Sequence, residues 1–261
     1  MVNDRALAGA LLLAVPLAIS LPAKAAESEE AMRADVFVVT PRIWYGTYVS
    51  PKEADSEQVQ ESFRVPMAGA TLTYAPKAAP NLALLATALS GDGQGTVIDQ
   101  NFGVGTTSSK RSDFEILARY NLLGPKLYLL GGWRRVKFSI DDNVDVFSST
   151  TDVSVSGPEL GVGSTNDLSR DARHQVFGNF ILLFSRYRHD YRDNFGFTEN
   201  RSFRALGLDL NLGYQFWVTP AFNLSARYRM FNFYYEGTVG GMTYKDLAVF
   251  HGPEIGASIA F

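Results

Sequence analysis

The stretch ALGLDLNLGYQF, residues 205–216, restricts the fold more than any other feature of this chain. Leu206, Leu208, Leu210, Leu212, Tyr214 and Phe216 share one face of an extended strand, and Gly207, Asp209, Asn211, Gly213 and Gln215 share the other. A helix would scatter both sets around its axis. AFNLSARYRMF repeats the alternation, with Phe222, Leu224, Ala226, Tyr228 and Met230 opposite Asn223, Ser225, Arg227 and Arg229. The end of the chain repeats it again, setting Pro253, Ile255, Ala257, Ile259 and Phe261 against Gly252, Glu254, Gly256, Ser258 and Ala260.

Soluble antiparallel sheets also alternate, so the content of the two faces decides between them. Here the polar face carries Gly, Ser, Asn and charges of both signs, and the apolar face carries aliphatics tipped by aromatics. That pattern predicts an all-β transmembrane barrel with lipid outside, a polar lumen, and aromatic girdles at both interfaces. About ten antiparallel up-and-down strands are expected, at 36–49, 63–75, 81–90, 110–122, 126–140, 155–164, 173–188, 203–216, 220–235 and 250–261; eight and twelve are the neighbouring counts. Short turns such as APKAAPN, LLGPK and WVTP alternate with longer polar stretches such as SPKEADSEQVQE, GDGQGTVIDQNFGVGTTSS and DDNVDVFSSTTD. Short periplasmic turns and longer external loops are the expected assignment, with both termini periplasmic.

The first 25 residues read as a signal peptide: Arg5, an apolar run from Ala6 to Pro22, then the small-x-small pattern Ala23-Lys24-Ala25 for cleavage. The run is shorter than the roughly 20 residues a spanning helix needs, and it contains Pro16 and Pro22. Residues 26–35 would form a short periplasmic segment and 36–261 a single barrel domain. A formal net charge of −3 gives no electrostatic case for nucleic acid as a partner. The absence of cysteine excludes disulfides, thiolate metal sites and a Cys nucleophile.

The terminal Phe261, preceded by Ile259, Ala257 and Ile255, resembles the C-terminal signature of small bacterial outer-membrane β-barrel proteins. The resemblance implies an outer-membrane location and recognition of the last strand by the barrel assembly machinery. It also implies contact with outer-membrane lipid and lipopolysaccharide, as a monomer.

Two further features concern the interior. Gly-Pro-Glu occurs twice, at 157–159 and 252–254, each time followed by an aliphatic residue and Gly. Each copy follows a similar pair of strands, by duplication or by convergence on barrel geometry. Pro158 and Pro253 are expected on the lipid face near the external strand ends, at a strand start or a bulge. Alternation places Glu115, Arg119, Arg134, Glu159, Asp209, Arg227, Arg229 and Glu254 in the lumen. There they should pair, Glu159 with Arg119 or Arg134 and Glu254 with Arg227 or Arg229, since an unpaired buried charge is costly. Such a network serves either a side-chain plug or a charged pore constriction.

Enzymatic motifs are few. Outer-membrane deacylases and phospholipases use His-x-Ser, and omptin proteases use Asp-x-His; His174, His189 and His251 fit neither. SRYRHDYRDNF, residues 185–195, sets His189 beside Asp190 as a base and orienter. Adjacent strand residues face opposite ways, which favours instead a solvated strand extension whose Arg186, Arg188 and Arg192 meet lipopolysaccharide phosphates or loop carboxylates. Asp141, Asn143, Asp145 and Asp152 match part of a calcium-loop spacing but lack its turn Gly, its final Glu and flanking helices, so neither a metal nor a cofactor is expected. The functional expectation is a non-enzymatic barrel serving envelope integrity or small-solute passage. The alternatives are a surface binder acting through the loops at 50–61 and 91–109, and a hydrolase built on His189.

Overall fold

The computed structural model describes residues 35–49, 62–99, 103–239 and 242–261. The expected signal segment with Ala23 and Ala25, residues 26–34, and the stretch 50–61 expected as an acidic loop lie outside the described residues. Ten strands run in chain order: β1 Val36–Val49, β2 Ser62–Ala75, β3 Leu82–Asp99, β4 Gly103–Asn121, β5 Tyr128–Val144, β6 Phe147–Asp167, β7 His174–Asp193, β8 Thr198–Thr219, β9 Phe222–Val239 and β10 Met242–Ala260. Each pairs antiparallel with its neighbours in sequence, and β1 pairs with β10, so the sheet closes into an up-and-down barrel. The closure is completed by Phe261, whose N–H donates to the Phe37 carbonyl at 2.9 Å while Phe37 N–H donates back at 3.3 Å.

Hydrogen-bonded rows climb around this barrel. The row that starts at Phe37 passes Tyr74, Leu84, Ala118, Gly131, Leu160, Leu182, Leu208, Asn232 and Val249, and returns to β1 at Val49, twelve residues beyond its start. A line parallel to the membrane therefore slips about one residue per strand against these rows, the stagger that strand tilt imposes.

The strands are longer than sequence reading expects. A tilted spanning strand needs about 9–11 residues, yet β8 has 22 and β6 has 21. The expected loop DDNVDVFSSTTD is instead the top of a hairpin, turning at Asp145 with a positive φ of 51°. Much of the expected loop at 91–109 is likewise strand, with Gly91 paired to Arg111 and Asp99 to Gly103. Asp141 and Asp152 there accept hydrogen bonds from Thr150 and Ser139, as rungs of the hairpin rather than as a cation loop.

The reason is that the apolar face changes sides. In the half near the short turns, β8 points Leu206, Leu208, Leu210 and Leu212 outward and Asp209 and Asn211 inward. Toward the other end, it points Arg204 and Ser202 outward and Phe203 and Ala205 inward. On β5, Trp133 faces out below and Val136, Phe138 and Ile140 face in above. The lower half is built for lipid outside. The upper half is built for water outside and a hydrophobic core inside, as in a soluble barrel. Outward aromatics mark both edges of the lipid band: Phe37, Tyr74, Tyr120 and Tyr214 at one, Tyr45, Phe114, Trp133, Phe184 and Tyr228 at the other.

Candidate functional site

The lumen holds two stacked layers. The lower is a charge network. Asp209, on β8, accepts from Arg134 Nη1 at 2.5 Å and from Arg229 Nη2 at 2.6 Å. Arg134 also reaches Glu159 at 3.2 Å and bonds Glu115 on the adjoining strand β4. Glu254 meets Arg227 at 2.6 Å, Arg42 at 3.5 Å and Arg229 at 3.9 Å. Four guanidinium groups thus face four carboxylates, and the cluster is neutral as a whole. Arg111 and Asp113 form a further bidentate pair nearby, at 2.7 Å.

Of the residues expected in the network, Arg119 stands apart. Its Nε donates to Asn121 and its guanidinium lies 3.8 Å from the centre of the Tyr128 ring, nearer the short turns. Arg42, Arg111 and Asp113 belong to the lumenal set without having been anticipated. Alternation alone could have found them: Arg42 separates Pro41 from Ile43, and Arg111 and Asp113 share the face of Glu115.

The two Gly-Pro-Glu segments are geometric counterparts. Gly157 is the cross-strand partner of Arg134, and Gly252 of Arg229. A Cβ on Gly157 would sit 2.0 Å from the Phe184 carbonyl oxygen, and one on Gly252 1.9 Å from that of Tyr45. Only glycine allows this approach. Pro158 and Pro253 then cost little, since each lies where pairing to one neighbour lapses. Neither is at a strand start or a bulge: both are inside long strands, and the register on either side is unshifted.

The upper layer is aromatic. Trp44, Phe231 and Phe250 lie directly on the arginines, with Arg111 3.9 Å from the Phe250 ring centre and Arg229 4.9 Å from Trp44. Above them Tyr48, Phe63, Phe138 and Phe250 pack with ring centres 4.8–5.7 Å apart. Tyr187, Phe203, Phe233 and Tyr235 pack beside them from the other wall. Trp44, Phe231 and Glu159 are 0% exposed, and Arg134 is 2% exposed.

His189 points into the upper barrel, beside Tyr187 and facing the Arg201 pair position on β8. Asp190 points outward, so the two do not form a base and its orienter. Burial first, and Arg201 second, push the His189 imidazole below its usual pKa. Arg192, outside, pairs with Asp152 at 3.5 Å.

No protein-family model matches the chain, and no curated protein matches it in sequence. Solved structures do. The outer-membrane protease OmpT from Escherichia coli is 10% identical, with a TM-score of 0.59 over 88% of this chain and 97% of OmpT. The translocator domain of the autotransporter NalP from Neisseria meningitidis is 13% identical, with a TM-score of 0.49 over 87% of this chain and 89% of the domain. Closed topology, lipid-facing belt and the likeness to OmpT define a bacterial outer-membrane β-barrel, whose place is the outer membrane. At such identities the likeness is one of fold.

Proposed function

We propose that this protein is a sealed, non-enzymatic barrel with a structural role in the outer membrane. One observation carries the reading: side chains at the centre of the lumen, Glu159, Trp44 and Phe231, have no exposed surface. A water-filled pore would leave its lining charges wet. The charge network is then a plug that fixes the barrel's cross-section, and the aromatic layer is a lid on it. Hydrolysis at His189 is disfavoured by the outward turn of Asp190. A second reading, ligand binding at the cell surface, draws on the apolar residues at the hairpin tips, where Val146, Phe195 and Phe197 are exposed. A liposome flux assay tests the leading reading. Reconstituted protein should pass sugars and small ions no faster than protein-free liposomes, and size-dependent uptake would refute it.

A further inference from the structure

Among the described residues, every arginine facing the lumen meets a carboxylate except Arg119. An apolar shelf accounts for the exception. Leu85, Leu117, Tyr128, Leu130 and Ile181 pack together between Arg119 and the charge network. Leu117 is the inward residue between Glu115 and Arg119 on β4, so the separation is built into the strand. The guanidinium is nonetheless held in place. Its Nε donates to Asn121 Oδ1 at 2.9 Å, and it lies over the Tyr128 ring, 3.8 Å from the ring centre. Tyr128 is fixed in turn: its hydroxyl donates to Asn179 at 2.6 Å, and its ring occupies the space that a Cβ on Gly163 would take. Neither Nη of Arg119 has a partner among the described residues. A guanidinium fork of this kind binds a carboxylate through two parallel hydrogen bonds.

The lumen is open at this level. Arg134 and Glu159, above the shelf, are buried, whereas Arg119, Gln175, Asn179, Gln215 and Trp217, below it, are half-buried. Inward side chains that stay accessible within a closed wall line a vestibule, and this one leads out past the short turns. With the stagger of the rows allowed for, the wall facing Arg119 is built from Thr40, Ser225, Gly256 and Ser258. These residues are small, so space remains between them and the guanidinium, and three of the four carry a hydroxyl. Arg227, one inward position above Ser225, is already engaged by Glu254. The carboxylates on this side sit at strand ends: Asp167 accepts from Gln175 at 2.7 Å, and Asp35 accepts from the Lys77 N–H at 2.8 Å.

One unpaired positive charge in a confined space matches a single negative charge, and a dianion would leave one charge uncompensated. The hydroxyl and amide side chains around it suit a polar body rather than an acyl chain. We infer that the lower lumen is a binding site for a small, hydrophilic monocarboxylate that enters from the short-turn side, its carboxylate on Arg119 and its hydroxyl groups against Thr40, Ser225 and Ser258. The site goes beyond the sealed-barrel reading and does not depend on it, because it lies wholly below the charge network. Flux through the barrel therefore bears on that reading alone, and equilibrium binding bears on this one.

The test is a ligand-observed NMR titration of the refolded protein in neutral detergent with three sugars of similar size: glucuronate, uncharged glucose and dianionic glucose 6-phosphate. Glucuronate should bind saturably, and glucose at least about tenfold more weakly, since it lacks the charged hydrogen-bond acceptor. Glucose 6-phosphate should also bind more weakly than glucuronate. Arg119→Gln should weaken glucuronate binding by about tenfold or more. Arg119→Lys should recover only part of the loss, because an ammonium group cannot present the fork. Ser225→Leu fills the facing wall, leaves the contacts of Arg119 in place, and should weaken binding as well. Arg170→Gln with Arg173→Gln, in the turn at the same end of the barrel, should not, which separates the site from general attraction to basic residues at the rim. Heat-modifiable migration on gels is the folding control, and Ser225→Leu carries the test if Arg119→Gln does not fold. Absence of saturable glucuronate binding overturns the inference. So does glucose binding as tightly as glucuronate, or an affinity of Arg119→Gln within about twofold of the parent. Tighter binding of glucose 6-phosphate replaces the monocarboxylate site with a phosphate site and overturns it too.

Discussion

Asp209 and Arg134 meet at 2.5 Å although they stand on β8 and β5, strands that are not neighbours in the barrel wall. Arg229, from β9, closes on the same carboxylate at 2.6 Å. The lumen is spanned at this level by one carboxylate held between two guanidinium groups. Asp209→Asn should therefore leave two arginines facing each other in a water-poor space, at a cost of about 3–5 kcal/mol. Denaturant titration in a bilayer measures it. A double-mutant cycle with Arg134→Gln should recover part of the loss, and purely additive losses would mean that the contact is incidental.

The switch of faces along β8 separates two substitutions of the same kind. Leu210→Arg places a charge against lipid and should destabilise the barrel by about 2–4 kcal/mol if it lies at the midplane. Ser202→Arg is on the same outward face, above the belt, and should change stability by less than about 0.5 kcal/mol. The same titration decides, and equal losses would mean that the upper barrel is also immersed in lipid.

His189 gives the upper barrel a pH dependence. Its folded pKa lies below its unfolded one, through burial and the neighbouring Arg201. The unfolded state then binds more protons as pH falls past the ordinary histidine range, so stability is full above it and declines below. Burial pushes Asp142 upward and so acts in the opposite sense. Protection factors of upper-strand amides, taken relative to the intrinsic exchange rate at each pH, should fall between pH 7 and 5 in the parent, and should fall less in His189→Gln. Identical profiles would remove His189 from the account.

Phe261 ties β10 to the start of β1 through two backbone bonds. With Ile255, Ala257 and Ile259 it presents the outward apolar series that resembles the assembly signal of outer-membrane barrels. Removing Phe261 should lower membrane yield and raise the amount of protease-sensitive chain in the periplasm. Normal yield would separate closure of the barrel from recognition of its end.

Period two made the lower barrel legible: it assigned Leu206 to Phe216 outward, and Asp209, Arg227, Arg229 and Glu254 inward, without any tertiary information. The upper barrel was not legible by that rule, because the rule holds one face apolar throughout. RMFNFYY shows what was missed. Met230 ends the outward apolar series and Phe231 begins the inward one, so two adjacent apolar residues mark the crossing from lipid to water. Polar residues beyond such a crossing resemble loop sequence, which is why DDNVDVFSSTTD was expected to be a loop. Pairing across the lumen was out of reach for a different reason: neighbours in a meander follow from chain order, but the Arg134–Asp209 contact depends on barrel diameter.

Conductance tests the central claim most directly. The refolded protein in a planar bilayer should leave the membrane electrically silent, because its lumen is filled by the Asp209 network and closed by the layer of Trp44, Phe231 and Phe250. Paired removal of bulk, Phe231→Ala with Phe250→Ala, should give measurable ion current if the barrel still folds. Steady, ohmic channels from the unmodified protein would contradict the sealed lumen.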